Sequence, residues 1–230
     1  MPKAPMTKEE INQVRNQILE TALDIIITEG FSNLSFRKIA ARLNITATTI
    51  YNYFEGKDEL NLMIRVRGFE TLYALLKKAG DRQDSAPAAL EAMLRAYVRF
   101  GLTYPDYYDL MFNLNTPKYL DYVGSDMEPT AHFEKQTALK CLNLFAQPIE
   151  DYLDADKADK AGFIQDNMVQ FWSDLHGLVA LYNSRLFHEV LADVEDFVEK
   201  RLQRLILEIQ RLRQQIDQGL PLTAITPALN

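Results

Sequence analysis

Apolar residues recur at steps of three and four along most of this chain, the spacing that places side chains on one face of a helix. The first stripe lies within residues 9–29 and consists of Ile11, Val14, Ile18, Ala22, Ile25 and Ile26. Residues 36–43 and 47–54 repeat the spacing in two shorter segments. Two short helices joined by a tight turn need a platform to bury their apolar faces, and the long helix before them can provide it.

Residues suited to helix ends delimit these segments. Ser35 and Thr46 are predicted N-caps, because a hydroxyl oxygen can accept a hydrogen bond from a free N–H group in the first helical turn. Gly30 is predicted to end the long helix. Asn44 is predicted to end the first short helix, since Asn tolerates the left-handed backbone conformation better than most residues. The pattern predicts a three-helix unit of the helix-turn-helix kind.

Helical patterns continue through most of the remaining chain. Nine Gly and nine Pro are too few for an all-β fold with frequent turns, so the predicted fold class is all-α, a three-helix unit followed by a larger helical bundle. Residues 105–130 are predicted to hold one short helix and a loop, and residues 219–230 a flexible tail. The other predicted helices lie at about 58–79, from Pro87 to Tyr104, and at about 130–153, 158–186 and 192–217.

The composition excludes several function classes. The 230 residues are 47% hydrophobic and 25% charged, with no signal-like amino terminus and no run of 18 apolar residues. We therefore expect a cytoplasmic protein with no membrane partner. The single Cys141 and three scattered His residues provide no spacing typical of a metal site, so no metal or other cofactor is expected. Since no nucleophile elbow or nucleotide loop is present either, we do not expect an enzyme.

Charge is distributed unevenly along the chain. The net charge is −7, yet the segment from Ser35 to Lys57 contains four basic residues against the single acid Glu55. Its local balance of +3 leaves −10 for the rest of the chain. A positive patch on an acidic protein favours an oriented approach to DNA phosphates. The basic residues of this patch are Arg37, Lys38, Arg42 and Lys57.

An ordered set of residues within 31–60 is specific to a known family. The set consists of Ser35 and Arg37, the pair Ile39-Ala40, the turn Asn44-Ile45-Thr46, Tyr51-x-Tyr53-Phe54, and Lys57 followed by Leu60. Over about residues 10–62 the chain resembles the DNA-binding domain of the tetracycline-repressor (TetR) family of bacterial transcription regulators. The visible departure is Asn44, where the family usually has Gly, and Asn can adopt the same conformation. The resemblance implies a DNA-binding domain at 1–57 and a ligand-binding and dimerisation domain at 58–218.

The second short helix is expected to read double-stranded operator DNA. Its small side chains would let the helix enter the major groove, where Thr can contact base edges and thymine methyl groups. We assign Thr46, Ala47, Thr48 and Tyr51 to the groove, and Thr49 to the same DNA-binding set. Phosphate contacts, which fix register without reading sequence, are assigned to Arg37, Tyr53 and Lys57 with the Ser35 cap.

The carboxy-terminal half carries a long apolar stripe and a Trp172-x-x-x-His176-Gly177 pattern. This pattern resembles a carboxy-terminal domain of TetR-like regulators in which the last two helices pair with their copies in a homodimer. Two DNA-binding modules about 34 Å apart would then read a palindromic operator. The residues predicted at the dimer interface are Gly177, Val198, Leu202, Leu205, Ile209 and Leu212.

The family resemblance also implies an inducer cavity between the DNA-binding unit and the dimer helices. Aromatic walls with a few polar groups suit a small apolar or amphipathic effector, although aromatic stripes also fit a plain core. The candidate lining residues are Tyr97, Phe100, Tyr104, Tyr108, Met111, Phe112, Met168, Trp172 and His176. The function expected is that of a repressor released from its operator by this ligand. The alternative is a partner-binding helical bundle without DNA binding, which the acidic net charge favours.

Overall fold

The computed structural model describes residues 6–153 and 160–218, and the regular secondary structure within these ranges is helical throughout. The predicted all-α fold class is therefore confirmed. The predicted tail at 219–230 lies outside the described residues. The helices are α1 (Lys8–Glu29), α2 (Phe36–Leu43), α3 (Ala47–Ile50), α4 (Lys57–Gly80), α5 (Ala86–Thr103), α6 (Pro105–Tyr108), α7 (Tyr119–Tyr122), α8 (Glu128–Leu153), α9 (Lys160–Asn183), α10 (Leu186–Val190) and α11 (Val194–Asp217).

The chain divides into two compact units. The first contains Met1–Glu70 and Asp106–Ala138, and the second contains Thr71–Pro105 and Leu139–Asn230. The first half of α4 and the segment from α6 into α8 thus belong to the same compact unit as the three amino-terminal helices, and the domain boundary at residue 57 stays a prediction. None of the helices in the described ranges has the length and apolar character needed to cross a membrane.

One apolar cluster joins α1, α2 and α3 in the first unit, and Leu60, Ile64 and Leu110 complete it. Burial of a large aliphatic side chain contributes roughly 1.5–3 kcal/mol, so this cluster is what holds the two short helices on α1. Its other buried members are Ile18, Leu19, Ala22, Ile25, Ile26, Leu34, Phe36, Ile39, Ala40, Ile50 and Phe54.

A charged pair is buried elsewhere in the first unit. The Arg65 guanidinium of α4 lies 2.6 Å from Glu134 of α8, and the two side chains are only 5% and 4% exposed. Arg65 also donates a hydrogen bond to the Pro117 carbonyl oxygen over 3.1 Å. Burial raises the pKa of the Glu134 carboxyl, an effect that the positive charge of Arg65 opposes. The pair fixes α4 to α8 and to the loop before α7.

The irregular segment predicted at 105–130 contains two short helices, α6 and α7, where one was expected. Between them, residues Asp109–Asn113 form a wide π-helical turn, closed by a hydrogen bond from the Leu114 N–H to the Asp109 carbonyl over 2.8 Å. A Cβ atom added at Gly68 of α4 would lie 2.5 Å from the Met111 sulfur. The absence of a side chain at Gly68 is therefore what allows α4 to approach this turn.

The second unit is built on α5, α9 and α11. The apolar stripe of α11 is buried along its length, and α5 and α9 contribute buried residues such as Leu94, Tyr97 and Val179. The Arg95 guanidinium of α5 makes two hydrogen bonds, of 2.6 and 2.8 Å, to the Glu199 carboxylate of α11. Unlike the pair in the first unit, these side chains are 33% and 45% exposed.

Candidate nucleic-acid interface

The turn between α2 and α3 has the conformation that the capping residues predict. The Ser35 hydroxyl accepts a hydrogen bond from the Lys38 N–H over 3.3 Å, and the Thr46 hydroxyl accepts one from the Thr49 N–H over 3.1 Å. Asn44 adopts the left-handed conformation, with φ 53° and ψ 41°. All three predicted helix-end roles in the turn are confirmed, and Asn44 fills the position where Gly is usual.

The third helix separates an exposed polar face from a buried apolar one. Thr46, Thr48 and Tyr51 are exposed, whereas Ile50 is completely buried and Phe54 is 1% exposed. The Tyr51 ring packs edge-on against Phe36 with 4.9 Å between the ring centroids and stays 60% exposed. Three of the side chains predicted to read DNA, those of Thr46, Thr48 and Tyr51, thus lie on the side of α3 that faces away from the core.

Regular helix ends earlier than the sequence predicted. The expected helix covered residues 47–54, but α3 ends at Ile50. A turn continues the coil, with the Tyr53 N–H donating to the Ile50 carbonyl over 2.9 Å. Thr49 is half-buried, and its hydroxyl lies 2.8 Å from the Thr46 hydroxyl. The Ala47 side chain is also half-buried, since it packs against the apolar cluster.

The basic patch is weaker in the fold than in the sequence. Lys38 lies 2.5 Å from Glu29, and Arg42 pairs with both Glu29 and Asp24, so two of the four cations face carboxylates of α1. The hydrogen bond from Lys38 lowers the pKa of Glu29. Including the two acids reduces the local charge balance from +3 to +1. The charge balance over residues 35–57 does not include Asp24 and Glu29, because both acids lie in α1, before that segment.

Arg37 and Lys57 are exposed cations of this surface, whereas the Arg42 side chain, also exposed, pairs with Asp24 and Glu29. The Lys57 ammonium lies 5.1 Å from the centre of the Phe31 ring, a cation–π contact that leaves its charge accessible to solvent. Tyr53, the third residue predicted to contact phosphate, is half-buried, and its hydroxyl donates a hydrogen bond to the Met6 sulfur over 3.4 Å. Arg37 and Lys57 are therefore better placed than Tyr53 to meet a phosphate.

Sequence reasoning missed two residues that hold this surface in place. Arg15 of α1 donates a hydrogen bond to the Tyr53 carbonyl oxygen and forms a 2.8 Å ion pair with Glu59 of α4. Glu59 in turn accepts a hydrogen bond from the Glu55 N–H over 2.7 Å. Arg15 and Glu59 are 44 residues apart in the chain, so no local spacing indicates their contact.

Family profiles match both parts of the chain. The profile described as "Bacterial regulatory proteins, tetR family" matches residues 18–62. The profile described as "Tetracyclin repressor-like, C-terminal domain" matches residues 90–205, half of the chain. The chain belongs to the TetR family. It is a DNA-binding transcriptional regulator of the TetR type, and the Trp-x-x-x-His-Gly subtype of its carboxy-terminal domain stays a prediction.

One relative is similar to this chain in sequence, and two solved structures are similar to it in fold. An uncharacterized HTH-type transcriptional regulator of Mycobacterium tuberculosis is 24% identical over 181 residues, which are 78% of this chain and 74% of the relative. A TetR/AcrR-family regulator from Thermobifida fusca has a crystal structure that matches with a TM-score of 0.61 and 18% identity, over 85% of this chain and 97% of its own. The crystal structure of a further regulatory protein matches with a TM-score of 0.67 and 22% identity, over 87% and 98%.

The predicted cavity residues of this TetR chain fall into two groups. Tyr97, Phe100, Tyr104, Met168, Trp172 and His176 belong to the second unit, and Tyr108, Met111 and Phe112 to the first. In the second unit the Trp172 indole N–H donates a hydrogen bond to the Tyr97 hydroxyl over 3.0 Å. Burial lowers the pKa of the nearby His176. In the first unit the Tyr108 side chain is completely buried, as expected of a core residue.

The residues predicted at the dimer interface of this TetR chain lie mostly in its own core. Five of them are buried within the second unit: Val198, Leu202, Leu205, Ile209 and Leu212. Their stripe packs within the chain, and their place at a dimer interface stays a prediction. Gly177 differs, since an added Cβ atom would meet nothing within 4 Å. Around it, α9 exposes Val169 and Trp172, and α11 exposes Leu207.

Proposed function

We propose that this TetR-family chain is a repressor that binds a palindromic operator as a homodimer and is released by a small ligand bound in its second unit. The observation that carries the DNA-binding part is the division of α3 into an exposed face with Thr46, Thr48 and Tyr51 and a buried face with Ile50 and Phe54. An exposed helix of small polar side chains on a rigid platform suits the major groove. The protein would act in the cytoplasm, where it meets double-stranded DNA.

Specificity and affinity would come from different residues of this surface. Thr48 and Tyr51 are exposed on α3 and would contact base edges, with Thr46 at the helix start. Arg37 and Lys57 carry exposed charges beside them and would contact phosphates. Ser35 and Thr49 would act through the helix ends, because their hydroxyl groups are engaged in hydrogen bonds of the turn.

The homodimer would form through the exposed sides of α9 and α11. Val169 and Trp172 are exposed on α9, and a Cβ atom added at the half-buried Gly177 would meet nothing within 4 Å. The absence of a side chain at a glycine allows the backbone of a second helix to approach closely. Leu207 is a large apolar side chain that α11 exposes. This surface replaces the buried α11 stripe as the proposed interface.

The ligand would contact the group around Tyr97, Trp172 and His176. The hydrogen bond from Trp172 to Tyr97 and the partial burial of His176 combine aromatic walls with polar tips, which suits an apolar or amphipathic molecule. The ligand would favour a position of α4 that holds the two DNA-binding units at an unsuitable separation. Such coupling is reciprocal, so operator DNA would lower ligand affinity by the same factor.

The experiment that tests this function is selection of bound duplexes from a random DNA library by the purified protein at two salt concentrations. The expected result is a motif of two inverted half-sites. Recovery of no motif, together with weak binding that disappears at moderate salt, would contradict the proposal. That result would instead support the helical-bundle alternative.

The selected duplex then provides the assay for the ligand. A molecule that binds the protein and weakens its binding to the duplex supports release by an effector. If a ligand binds tightly and leaves operator affinity unchanged, the proposed coupling does not hold for that ligand.

A further inference from the structure

We propose that Arg15 and Glu59 are a positioning pair, which fixes the end of the DNA-reading segment to the start of α4. This inference rests on the proposed reading of operator DNA by α3 and the turn after it. Neither residue belongs to the exposed face of that segment, since the Arg15 and Glu59 side chains are 27% and 12% exposed. Their role follows from the backbone groups that they bind, the Tyr53 carbonyl oxygen and the Glu55 N–H.

Arg15 holds the turn that follows α3. Regular helix ends at Ile50, so carbonyl groups beyond it need donors from outside the helix. The Arg15 guanidinium donates to the Tyr53 carbonyl oxygen, and its carbon lies 4.3 Å from the centre of the Phe54 ring. One side chain of α1 thus contacts both the backbone and the buried aromatic ring where the reading segment ends.

Glu59 connects the same guanidinium to α4. One carboxylate oxygen lies 2.8 Å from Arg15, and the other accepts a hydrogen bond from the Glu55 N–H over 2.7 Å. Glu59 lies in the first turn of α4, where a carboxylate is favoured by the helix dipole and can satisfy free N–H groups. The same carboxylate therefore both stabilises the start of α4 and orients the Arg15 guanidinium.

The Arg15–Glu59 pair differs from a simple ion pair because both side chains also bind backbone groups. Arg15 makes two contacts with different nitrogen atoms, and each partner in the pair also binds a backbone group of residues 53–55. A displacement of the start of α4 would carry Glu59, and through Arg15 it would move the turn after α3. The pair thus offers a polar route by which a shift of α4 reaches the reading face, beside the apolar contacts of Leu60 and Ile64.

A second pair between the same two helices provides a matched control. Arg67 of α4 lies 3.4 Å from Glu20 of α1, and Glu20 is 67% exposed. This contact also joins α4 to α1, but it involves no residue of the segment that reads DNA. The same substitution at Arg15 and Arg67 separates positioning of that segment from general support of the helices.

The test substitutes lysine, which keeps the charge and loses the fork of donor groups. Arg15→Lys should lower the affinity for the selected operator about tenfold or more, in the range of a lost charged hydrogen bond. Affinity for random duplex DNA should change by less than about twofold, because net charge is retained. Arg67→Lys should leave both affinities within about twofold of the wild type. If the ratio of operator affinity to random-duplex affinity in both variants equals that of the wild type, the proposal is overturned.

A second readout needs no DNA. Hydrogen exchange of the Glu55 amide should become about tenfold or more faster in Arg15→Lys and in Glu59→Ala, which removes both acceptor oxygens, and should be unchanged in Arg67→Lys. Circular dichroism establishes that each variant is folded, and if Arg15→Lys does not fold, Glu59→Ala decides. Unchanged exchange in a folded Glu59→Ala variant would overturn the pair's role. If the wild type selects no motif, the proposed function fails, whereas the exchange result still decides the positioning of residues 53–55.

Discussion

The two units of this regulator each contain an arginine–glutamate pair between distant helices, and the pairs differ in burial. Arg65 and Glu134 in the first unit are 5% and 4% exposed, whereas Arg95 and Glu199 in the second are 33% and 45% exposed. Breaking a buried pair leaves an uncompensated charge in a medium of low polarity, while an exposed pair is replaced by water. Loss of one partner should therefore lower the free energy of unfolding more in the first pair than in the second.

Two exposed helix faces differ as well. In the first unit α3 exposes Thr46, Thr48 and Tyr51, and in the second unit α9 and α11 expose apolar side chains, with Trp172 40% and Leu207 51% exposed. A polar surface with nearby cations suits a nucleic acid, and exposed apolar side chains suit a protein partner. Burial, more than residue type, therefore decides what each side chain contributes.

Removal of the acid from each arginine–glutamate pair should affect the stability of the two units to different extents. Glu134→Ala should lower the free energy of unfolding by about 3–5 kcal/mol, because Arg65 is left buried and unpaired. Glu199→Ala should cost at most about 1 kcal/mol. Chemical denaturation measures both values. Similar losses for the two variants would show that burial does not distinguish the pairs.

Truncation on α11 distinguishes a core residue from an interface residue. Leu205 is completely buried, so Leu205→Ala should lower the free energy of unfolding by about 2–5 kcal/mol at any protein concentration. Leu207→Ala, two residues along, should change the folding free energy by about 0.5 kcal/mol or less. Its expected effect is weaker self-association, measured by analytical ultracentrifugation. A Leu205→Ala loss that depended on protein concentration would restore the buried stripe as an interface.

A pair of substitutions on the DNA side separates base reading from phosphate binding. Thr48→Ala should change the preferred base at one operator position, with a discrimination of about 1–3 kcal/mol lost there. Lys57→Ala should weaken binding to every duplex and reduce the slope of log affinity against log salt by about 1. Selection with each variant, followed by titration at several salt concentrations, measures both effects. An unaltered preference in Thr48→Ala would remove Thr48 from the reading set.

The smallest expected effect concerns pH and His176. Burial lowers its folded-state pKa below the ordinary value of 6.5, so the neutral ring is favoured in the folded state. The stability that this provides is present above pH 6.5 and is lost as the pH falls towards the folded pKa, because the unfolded chain binds the proton first. His176→Gln should flatten the stability profile below pH 6.5. Thermal unfolding across pH 5–8 measures it, and an unchanged slope would contradict the assignment.

Local signals in the sequence were enough to predict much of the first unit. Hydroxyl residues before an apolar pattern identify helix starts, and so Ser35, Thr46 and the left-handed Asn44 were found from short segments. Regular helix stops at Ile50, while the pattern predicted a helix through residue 54, because apolar spacing describes a face and the turn preserves that face as far as Phe54.

Contacts between distant segments could not be predicted in the same way. The spacing of the α11 stripe identifies its apolar face and does not say whether α5 and α9 or a second subunit covers it. The contact between Arg15 and Glu59, and the pairing of Lys38 and Arg42 with acids of α1, depend on how the helices pack. A single sequence gives no direct signal for such contacts.

The acids of α1 beside Lys38 and Arg42 have a consequence for how this regulator searches a genome. Asp24 and Glu29 weaken attraction to phosphates in general, and a chromosome offers millions of competing positions for every operator. Low affinity for those positions leaves more of the protein free. A small number of molecules per cell can then occupy the operator, and the occupancy depends more on base contacts than on the abundance of DNA.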